Sequence, residues 1–509
     1  MITDSQKNKP FFFVRMVNGQ AETKGDSHCR LGHKLDAHDR NTPDGVFVEW
    51  HWDGETLTVT NDRFGFYPVY YYQDGDSFAI SPSIIRMMPF CRRRDLDGPA
   101  LGVYYRKGSF IGNDTHFKFI KALGPNTQLK WSRGNLTQTG GEIFIPKPIK
   151  ISRAEAKKEF ERLFARSIEK RRPKTKSFIL PLSGGRDSRR ILFELLKQDM
   201  RPDYCVTFKD FPDWRGQDLP VAQMITKELG LKHVILEQKD TRFEAEYRKN
   251  LVTDLCASRS VKMLTLTDYC NAHAQTTYDG IGGLLLQSFL MRQDQINLFK
   301  AGNFDPLTRA FLMQWASGEE AYKLVLNRKT FEMFHYDKAF AHLREEVSQH
   351  SRAANPIVSY YFWNRTRRDI ALIPYATLSE VPYVYSPYLD HDLCEFLLSL
   401  PAEIIESGTF HDETFCESYP AYAHIPFEDK SVPNPKADAH WSQFIRDFSV
   451  YYFKQKAYGS KFLNNRYLSL RILRCLFDGR YRVAARWIPF VRILNLLQLE
   501  ELVNCRREF

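Results

Sequence analysis

The chain has 509 residues, 43% hydrophobic and 26% charged, which is ordinary for a globular protein with a large core and room for two or three domains. Its net charge of +11 is spread along the chain, with short clusters only at Arg92 to Arg94, Lys170 to Lys176 and Arg365 to Arg368, so no nucleic-acid partner is expected. The nine cysteines show no C-x-x-C pair, the N-terminus has no apolar signal core, and no run of 18 apolar residues occurs; a cytoplasmic protein with buried thiols and no integral membrane segment is expected, with a homodimer left open.

Residues from Phe11 to about Trp131 carry short alternating apolar runs, among them Val46 to Trp52, Leu57 to Thr60, Val69 to Tyr72 and Ser77 to Ile80. Asp53-Gly54 and Asp74-Gly75 lie between runs, a hairpin signal, so a sheet-rich domain is expected over residues 1–150. The string N-D-R-F-G-F-Y-P-V-Y-Y-Y, Asn61 to Tyr72, is followed later by Leu123-Gly124-Pro125, Leu129 and Trp131. Together these resemble the glutaminase domain of glutamine-dependent asparagine synthetases, an Ntn-hydrolase-like fold. Working members of that family use a cysteine directly after the initiator methionine, with its own α-amino group as base, whereas this sequence has Ile2. Cys29 follows His28, but neighbours on an extended segment point to opposite faces, so they are not expected to pair. The domain is therefore expected to be structural, with glutamine not the nitrogen donor.

Ser152 to Arg171 has helical spacing, with Phe160, Leu163, Phe164 and Ile168 on one face. It leads into F-I-L-P-L-S-G-G-R-D, Phe178 to Asp187, where an apolar run fit for a buried strand stops at Gly184-Gly185 and Ile191 to Leu196 resumes with helical spacing. A strand, tight turn and helix leave N–H groups without intrahelical partners at the positive end of the helix dipole, which makes an anion site. Glycine at 184 and 185 lets the backbone approach a phosphate, Ser183 and Ser188 add hydroxyls, and Asp187 can hold magnesium. A simple turn between core elements would explain Gly-Gly alone. The full string S-G-G-R-D-S in this setting resembles the PP-loop of the ATP pyrophosphatase superfamily, which grips the phosphates of ATP while a carboxylate is adenylated. By that resemblance Leu182, Ser183, Gly184, Gly185, Asp187 and Ser188 contact the nucleotide.

Tyr204 to Phe208 and His233 to Leu236 read as buried strands, with Leu219 to Leu229 a helix stopped by Gly230. Strand, helix, strand, helix implies a doubly wound parallel sheet over residues 151–430, with ligand at the carboxyl ends of its strands. By the resemblance, Thr207 and Phe208 lie against adenine; Asp218 is either a helix cap or a nucleotide contact. Y-D-G-I-G-G-L-L-L, Tyr278 to Leu286, aligns with the second nucleotide loop of asparagine synthetases, commonly S-G-E-G-x-D-E. Gly280 and Gly282 match, whereas the family's glutamate and magnesium-holding aspartate fall on Ile281 and Leu284. Asp279 can either supply one metal oxygen or form a turn.

Tyr322 to Arg352 has helical, amphipathic spacing. Arg365 and Arg368, three apart on a helix running toward Ile373, share a face from which they can clamp phosphate or carboxylate, or simply be solvated. V-Y-S-P-Y-L-D-H-D-L-C-E-F-L-L-S-L-P, Val384 to Pro401, resembles the family's V-R-V-P-F-L-D-x-x-L-x-E-F-x-x-S-L-P segment. Beyond it, where synthetases carry a lysine that stabilises the transition state, stands G-T-F-H-D-E-T-F, Gly408 to Phe415; His411 is either a substitute cation or a surface histidine. Trp441 to Phe509, most of a helical C-terminal extension over residues 431–509, is basic, with apolar spacing at Leu468, Ile472, Leu476, Ile493 and Leu497. Core packing is expected, and Arg474, Arg482 and Arg486 near Trp487 and Phe490 leave a membrane-surface or partner role open.

Carried to about residue 430, the resemblance implies an ATP-dependent carbon–nitrogen ligase of asparagine-synthetase type, with ATP and Mg2+ as cofactors. It would activate a small-molecule or peptide carboxylate as an acyl-adenylate for attack by ammonia or a substrate amine, as in the β-lactam synthetases and lasso-peptide cyclases that also lack the cysteine. The candidate catalytic residues are Asp187, Arg365, Arg368 and His411; Gly280 joins the nucleotide contacts, and Asp187 and Asp279 are the metal ligands. Ile281, Leu284 and the missing lysine leave a second outcome: a nucleotide-binding or interaction protein of the same fold.

Overall fold

The computed structural model describes residues 8–36, 43–175, 177–211, 218–286, 293–313, 318–405, 408–428 and 437–508. Position 2, where the family's nucleophile would stand, lies outside the described residues.

Among the described residues, ten strands build the N-terminal region: β1 Phe12–Val17, β2 Gln20–Gly25, β3 His28–Leu35, β4 Asp44–Trp52, β5 Leu57–Asn61, β6 Tyr70–Asp74, β7 Ser77–Ser81, β8 Ile120–Ala122, β9 Gln128–Ser132 and β10 Asn135–Thr139. They form two antiparallel sheets, ordered β2-β1-β7-β6-β8 and β10-β9-β5-β4-β3. Asp53-Gly54 sits in the β4–β5 connection, and Asp74, the last residue of β6, leads through Gly75 into the β6–β7 turn, as their composition predicts. Strand alternation dictates the stacking. Phe12 and Val14 of β1 with Phe78 and Ile80 of β7 meet Val48 and Trp50 of β4, Val59 of β5 and Trp131 of β9. Phe13, Tyr70, Tyr72 and Ala79 turn the other way into a second core. That core is shared with the helix Gly98–Lys107 and with the C-terminal helices Ala437–Lys454, Asn465–Phe477 and Phe490–Val503. The C-terminal residues thus cover the outer face of an N-terminal sheet, and Arg94 Nη1 fastens them by donating to the carbonyls of Val503 (2.9 Å) and Cys505 (2.6 Å).

Five more strands, β11 Ile179–Pro181, β12 Tyr204–Phe208, β13 His233–Leu236, β14 Thr276–Tyr278 and β15 Tyr383–Tyr385, form a parallel sheet in the order β13-β12-β11-β14-β15. From β11 the chain builds outward through β12 to β13, then crosses back to place β14 on the other side of β11. The direction of winding therefore reverses between β11 and β14, which opens a crevice at the carboxyl ends of these strands. The chain is thus a mixed α/β protein: a sheet-rich N-terminal region, a doubly wound parallel sheet and a helical C-terminal part.

The helix before β11, Arg153–Lys170, starts at a capping box, with Ser152 Oγ accepting from Glu155 N–H (3.2 Å) and Glu155 Oε2 from Ser152 N–H (2.9 Å). It buries Phe160, Leu163, Phe164 and Ile168, as its spacing predicts. Tyr322 to Arg352 is helical, as its spacing predicts, but not as one helix. Asn327 caps a new helix by accepting from Thr330 N–H (2.9 Å), and His335 caps another, so the stretch divides into Glu319–Val325, Arg328–Met333 and Tyr336–Gln349.

Two of the family-like strings meet at the contact between the two sheet systems. Asp62 accepts N–H bonds from Phe47, Phe64 and Gly65, and Asn61 Nδ2 donates to Gly124 O (2.8 Å), so Asn61 to Tyr72 and Leu123 to Pro125 lock together. Arg63 pairs with Glu395 (3.0 Å). Asp44 and Asp390 share Lys170 and Arg171 at 2.8–3.1 Å.

Candidate functional site

A cavity of about 500 Å³ lies where β11, β12 and β14 end. Its floor is the loop that joins β11 to the helix Asp187–Lys197. The loop is held by its own hydroxyls: Ser188 Oγ accepts from Ser183 N–H (3.0 Å), and Ser183 Oγ accepts from Gly185 N–H (3.1 Å). Gly184 N–H donates to Asp218 Oδ1 (2.9 Å), so Asp218 anchors the loop while it also lines the cavity. A Cβ on Gly184 would meet Asp218 Cα and Val221 Cβ at 3.0 Å, which is why a glycine stands there. From behind, Arg189 donates to the carbonyls of Ile425 (3.0 Å) and Pro426 (2.7 Å), and Glu428 N–H to Gly184 O (3.0 Å).

Leu182, Ser183, Gly185, Asp187, Ser188, Phe208, Asp279, Gly280 and His411 of the sequence-predicted set all line this one cavity. Gly184 and Thr207 do not line it. Thr207 is displaced by strand alternation: Val206 and Phe208 face the cavity, while the Thr207 hydroxyl turns away, donates to Leu182 O (2.7 Å) and meets His233 Nε2 (2.8 Å). Met263 and Leu266 complete the apolar wall beside Phe208.

Arg365 and Arg368 are also not in the cavity. Residues Phe362–Ile370 form a wide π-helical turn, marked by Ala371 N–H donating to Thr366 O (2.9 Å), and the α-helical rule that puts residues three apart on one face does not hold there. Arg368 donates to Asp114 O and Arg367 to Gly65 O (3.1 Å) and Leu123 O (2.6 Å), so both dock the turn onto the N-terminal region. Arg365 is half-buried beside Asp369 and Tyr361. Two cavity cations were missed. Arg186 is anchored by Asp412, with Nη2 to Oδ2 at 2.8 Å, and Lys262 pairs with Asp210 (3.0 Å). Arg186 lies inside the quoted string at its variable position; Lys262 has no local signal, since only the fold brings it to the loop.

His411 departs from the expectation of a substitute cation. It is 2% exposed, and burial, then Arg190 and Arg186, drive its pKa well below the ordinary imidazole value. It is neutral, with Nδ1 3.9 Å from Asp187 Oδ1, and among the described residues neither ring nitrogen has a hydrogen-bond partner. Ile281 and Leu284 are buried in the core and offer no oxygen.

Asp187 and Asp279 both line the cavity. Among the described residues no group of three or more His, Cys, Asp or Glu side chains forms a metal cage. Carboxylate oxygens are the ligand type that Mg2+ takes, an ion that keeps most of its waters and binds phosphate oxygens. Asp279 is half-buried, and loss of solvent raises its carboxyl to about 6, with the N–H of Ile281 (2.7 Å) opposing that rise. The charged form is thus disfavoured in the fold, so stability falls as pH rises from the ordinary carboxyl value through about 6. Asp279→Asn, which keeps an acceptor for Ile281 N–H, removes this slope; thermal-unfolding midpoints across about pH 4 to 7 check it.

In the N-terminal region Cys29 sits on β3 opposite Trp50, and burial, then Asp26, pushes its thiol up to about 12. The His28 ring lies against His51 instead, so the adjacent pair forms no nucleophile.

No protein-family model matches the chain, and no curated protein matches it either. Among solved structures, a glutamine phosphoribosylpyrophosphate amidotransferase from B. subtilis, complexed with ADP and GMP, is 11% identical over 52% of this chain and 62% of that chain. The TM-score is 0.15, too low to carry a functional argument.

Proposed function

We propose that the cavity binds ATP with Mg2+ and that the protein activates a carboxylate for amide formation, as the resemblance to asparagine synthetases implies. The observation that carries this reading is the strand–Ser-Gly-Gly–helix turn opening on a cavity at the winding reversal of a parallel sheet, with Asp187 at the first helical position. The helix N-terminus and Ser183, Ser188 and Arg186 would hold the phosphates, and Phe208, Met263 and Leu266 the adenine. Asp187 and Asp279 would hold magnesium, which when bound offsets charge on the departing pyrophosphate. A carboxylate oxygen attacks the α-phosphorus, the bond to the β-phosphate oxygen breaks, and pyrophosphate leaves. Ammonia or a substrate amine then attacks the acyl carbon, AMP leaves, and the nitrogen loses a proton.

A second reading, a nucleotide-binding protein without ligase chemistry, is favoured by the neutrality of His411 and by the core positions of Ile281 and Leu284. ATP–pyrophosphate exchange with pooled carboxylates separates the two. The ligase reading expects exchange in the parent and a loss of at least about 100-fold in Asp187→Ala. ATP binding without exchange for any carboxylate sinks it and leaves the second reading.

A further inference from the structure

The helix Asn465–Phe477 and the shorter helix Gly479–Ala484 stand on the outside of the second core. One face of the longer helix is fully buried through Leu468, Ile472 and Cys475. The opposite face is not polar. Leu470 is 68% exposed, Leu473 44% and Phe477 84%, and at about 100° per residue these three, with Arg466 and Arg474, fall within a sector of about 100°. The next turn continues the surface with exposed Val483 and Trp487 and exposed Arg480 and Arg486. The Tyr467 and Trp487 rings meet edge-on at 6.4 Å, and the Arg474 guanidinium lies 4.3 Å from the Tyr481 ring centroid, which joins the two helices into one face. Residues 462–499 hold seven arginines and one acid, Asp478, and that acid is engaged by Arg474 and by the N–H of Tyr481 (2.9 Å).

Single exposed apolar residues are ordinary, but a contiguous patch rimmed by arginines needs a cover. Phosphates alone would satisfy Arg466 and Arg480 and leave Leu470 and Phe477 in water; an apolar protein surface would leave these two arginines without counter-charge. A lamellar surface with anionic headgroups above acyl chains satisfies both, and tryptophan suits its boundary. We propose that this face seats the protein on an anionic phospholipid bilayer. Leu470, Leu473, Phe477 and Trp487 enter the headgroup–acyl boundary, and Arg466 and Arg480 meet lipid phosphates. No described helix is long and apolar enough to cross a membrane, so the attachment is peripheral.

The test is flotation of the full chain with phosphatidylcholine vesicles, with and without phosphatidylglycerol. Binding is expected only with the anionic lipid and is weakened by salt. Two double variants, Leu470→Ser with Phe477→Ser and Arg466→Glu with Arg480→Glu, are each expected to lower partition about tenfold or more at unchanged melting temperature. Absence of flotation by the parent, or undiminished flotation by either variant, overturns the proposal. So does a concentration-dependent dimer that the serine variant dissolves, which assigns the face to a second copy. Duplex DNA binding that survives the serine variant, without vesicle binding, overturns it in favour of nucleic acid.

Discussion

Arg171→Met is expected to destabilise the chain by about 3–5 kcal/mol, the cost of removing one partner from a buried ion cluster. Arg171 has no solvent exposure and donates from Nη2 to Asp44 (3.1 Å) and from Nη1 to Asp390 (2.8 Å). Lys170 Nζ reaches the same two carboxylates at 3.1 and 3.0 Å. Without Arg171, two buried carboxylates are left with one ammonium. Burial alone would raise the Asp44 carboxyl, but Arg171, then His391, overrides this and holds it below the ordinary carboxylate range. A depressed carboxyl contributes stability that is present above its unfolded value and is lost as pH falls through its folded value. Arg171→Met raises that folded value, so acid unfolding moves to higher pH. Urea and acid titrations of parent and variant measure both effects. Adding Asp44→Asn and Asp390→Asn to Arg171→Met removes the stranded charges and is expected to recover most of the loss. A triple variant no more stable than Arg171→Met rules out the electrostatic account.

The sheets were legible because their strands are short apolar runs with clear stops: Tyr204–Phe208 and His233–Leu236 fall at the bounds their residues suggest. Strand β15, three residues long, is too short to stand out by periodicity. The glycine loop was legible as a site element because the whole string S-G-G-R-D-S stands between a strand and a helix, and the Asp279-Gly280 turn because its glycines match those of a family loop. What the sequence hid is direction. Matching Thr207 and Phe208 to a family position does not say which of two alternating side chains faces the ligand. The spacing of Arg365 and Arg368 assumes an α-helix, and the π turn redirects Arg368 to Asp114. The neutrality of His411 follows from burial first and then from Arg190 and Arg186, which stand at the start of the loop helix more than two hundred residues earlier. The longest family-like string, Val384 to Pro401, places Asp390 and Glu395 at a contact between sheet systems rather than in the cavity. Resemblance in such segments is evidence of fold more than of chemistry.

Gly283→Ala is expected to impair the proposed nucleotide site about as severely as loss of Asp187 itself. Gly283 opens the short 3-10 turn Gly283–Leu286, and its φ is not positive, so alanine can adopt the backbone. The obstacle is space. A Cβ there would lie inside contact distance of Asp187 Cγ and of both carboxylate oxygens, the farther of them at 2.7 Å. The carboxylate must retreat by about 1 Å to reach ordinary contact, and a shift of that size at a reacting centre costs about 100-fold. Overpacking also lowers stability, by about 1–3 kcal/mol. These effects separate in a double-mutant cycle. Asp187→Ala deletes all three atoms that the new methyl group would strike, so Gly283→Ala is expected to be nearly neutral for folding in that background while remaining destabilising in the parent. Chemical denaturation of the four proteins gives the coupling, and ATP affinity of the single variants gives the functional loss. An undiminished ATP affinity in Gly283→Ala, together with a coupling near zero, would show that the Asp187 carboxylate is not fixed against this turn and would remove it from the proposed phosphate and metal site.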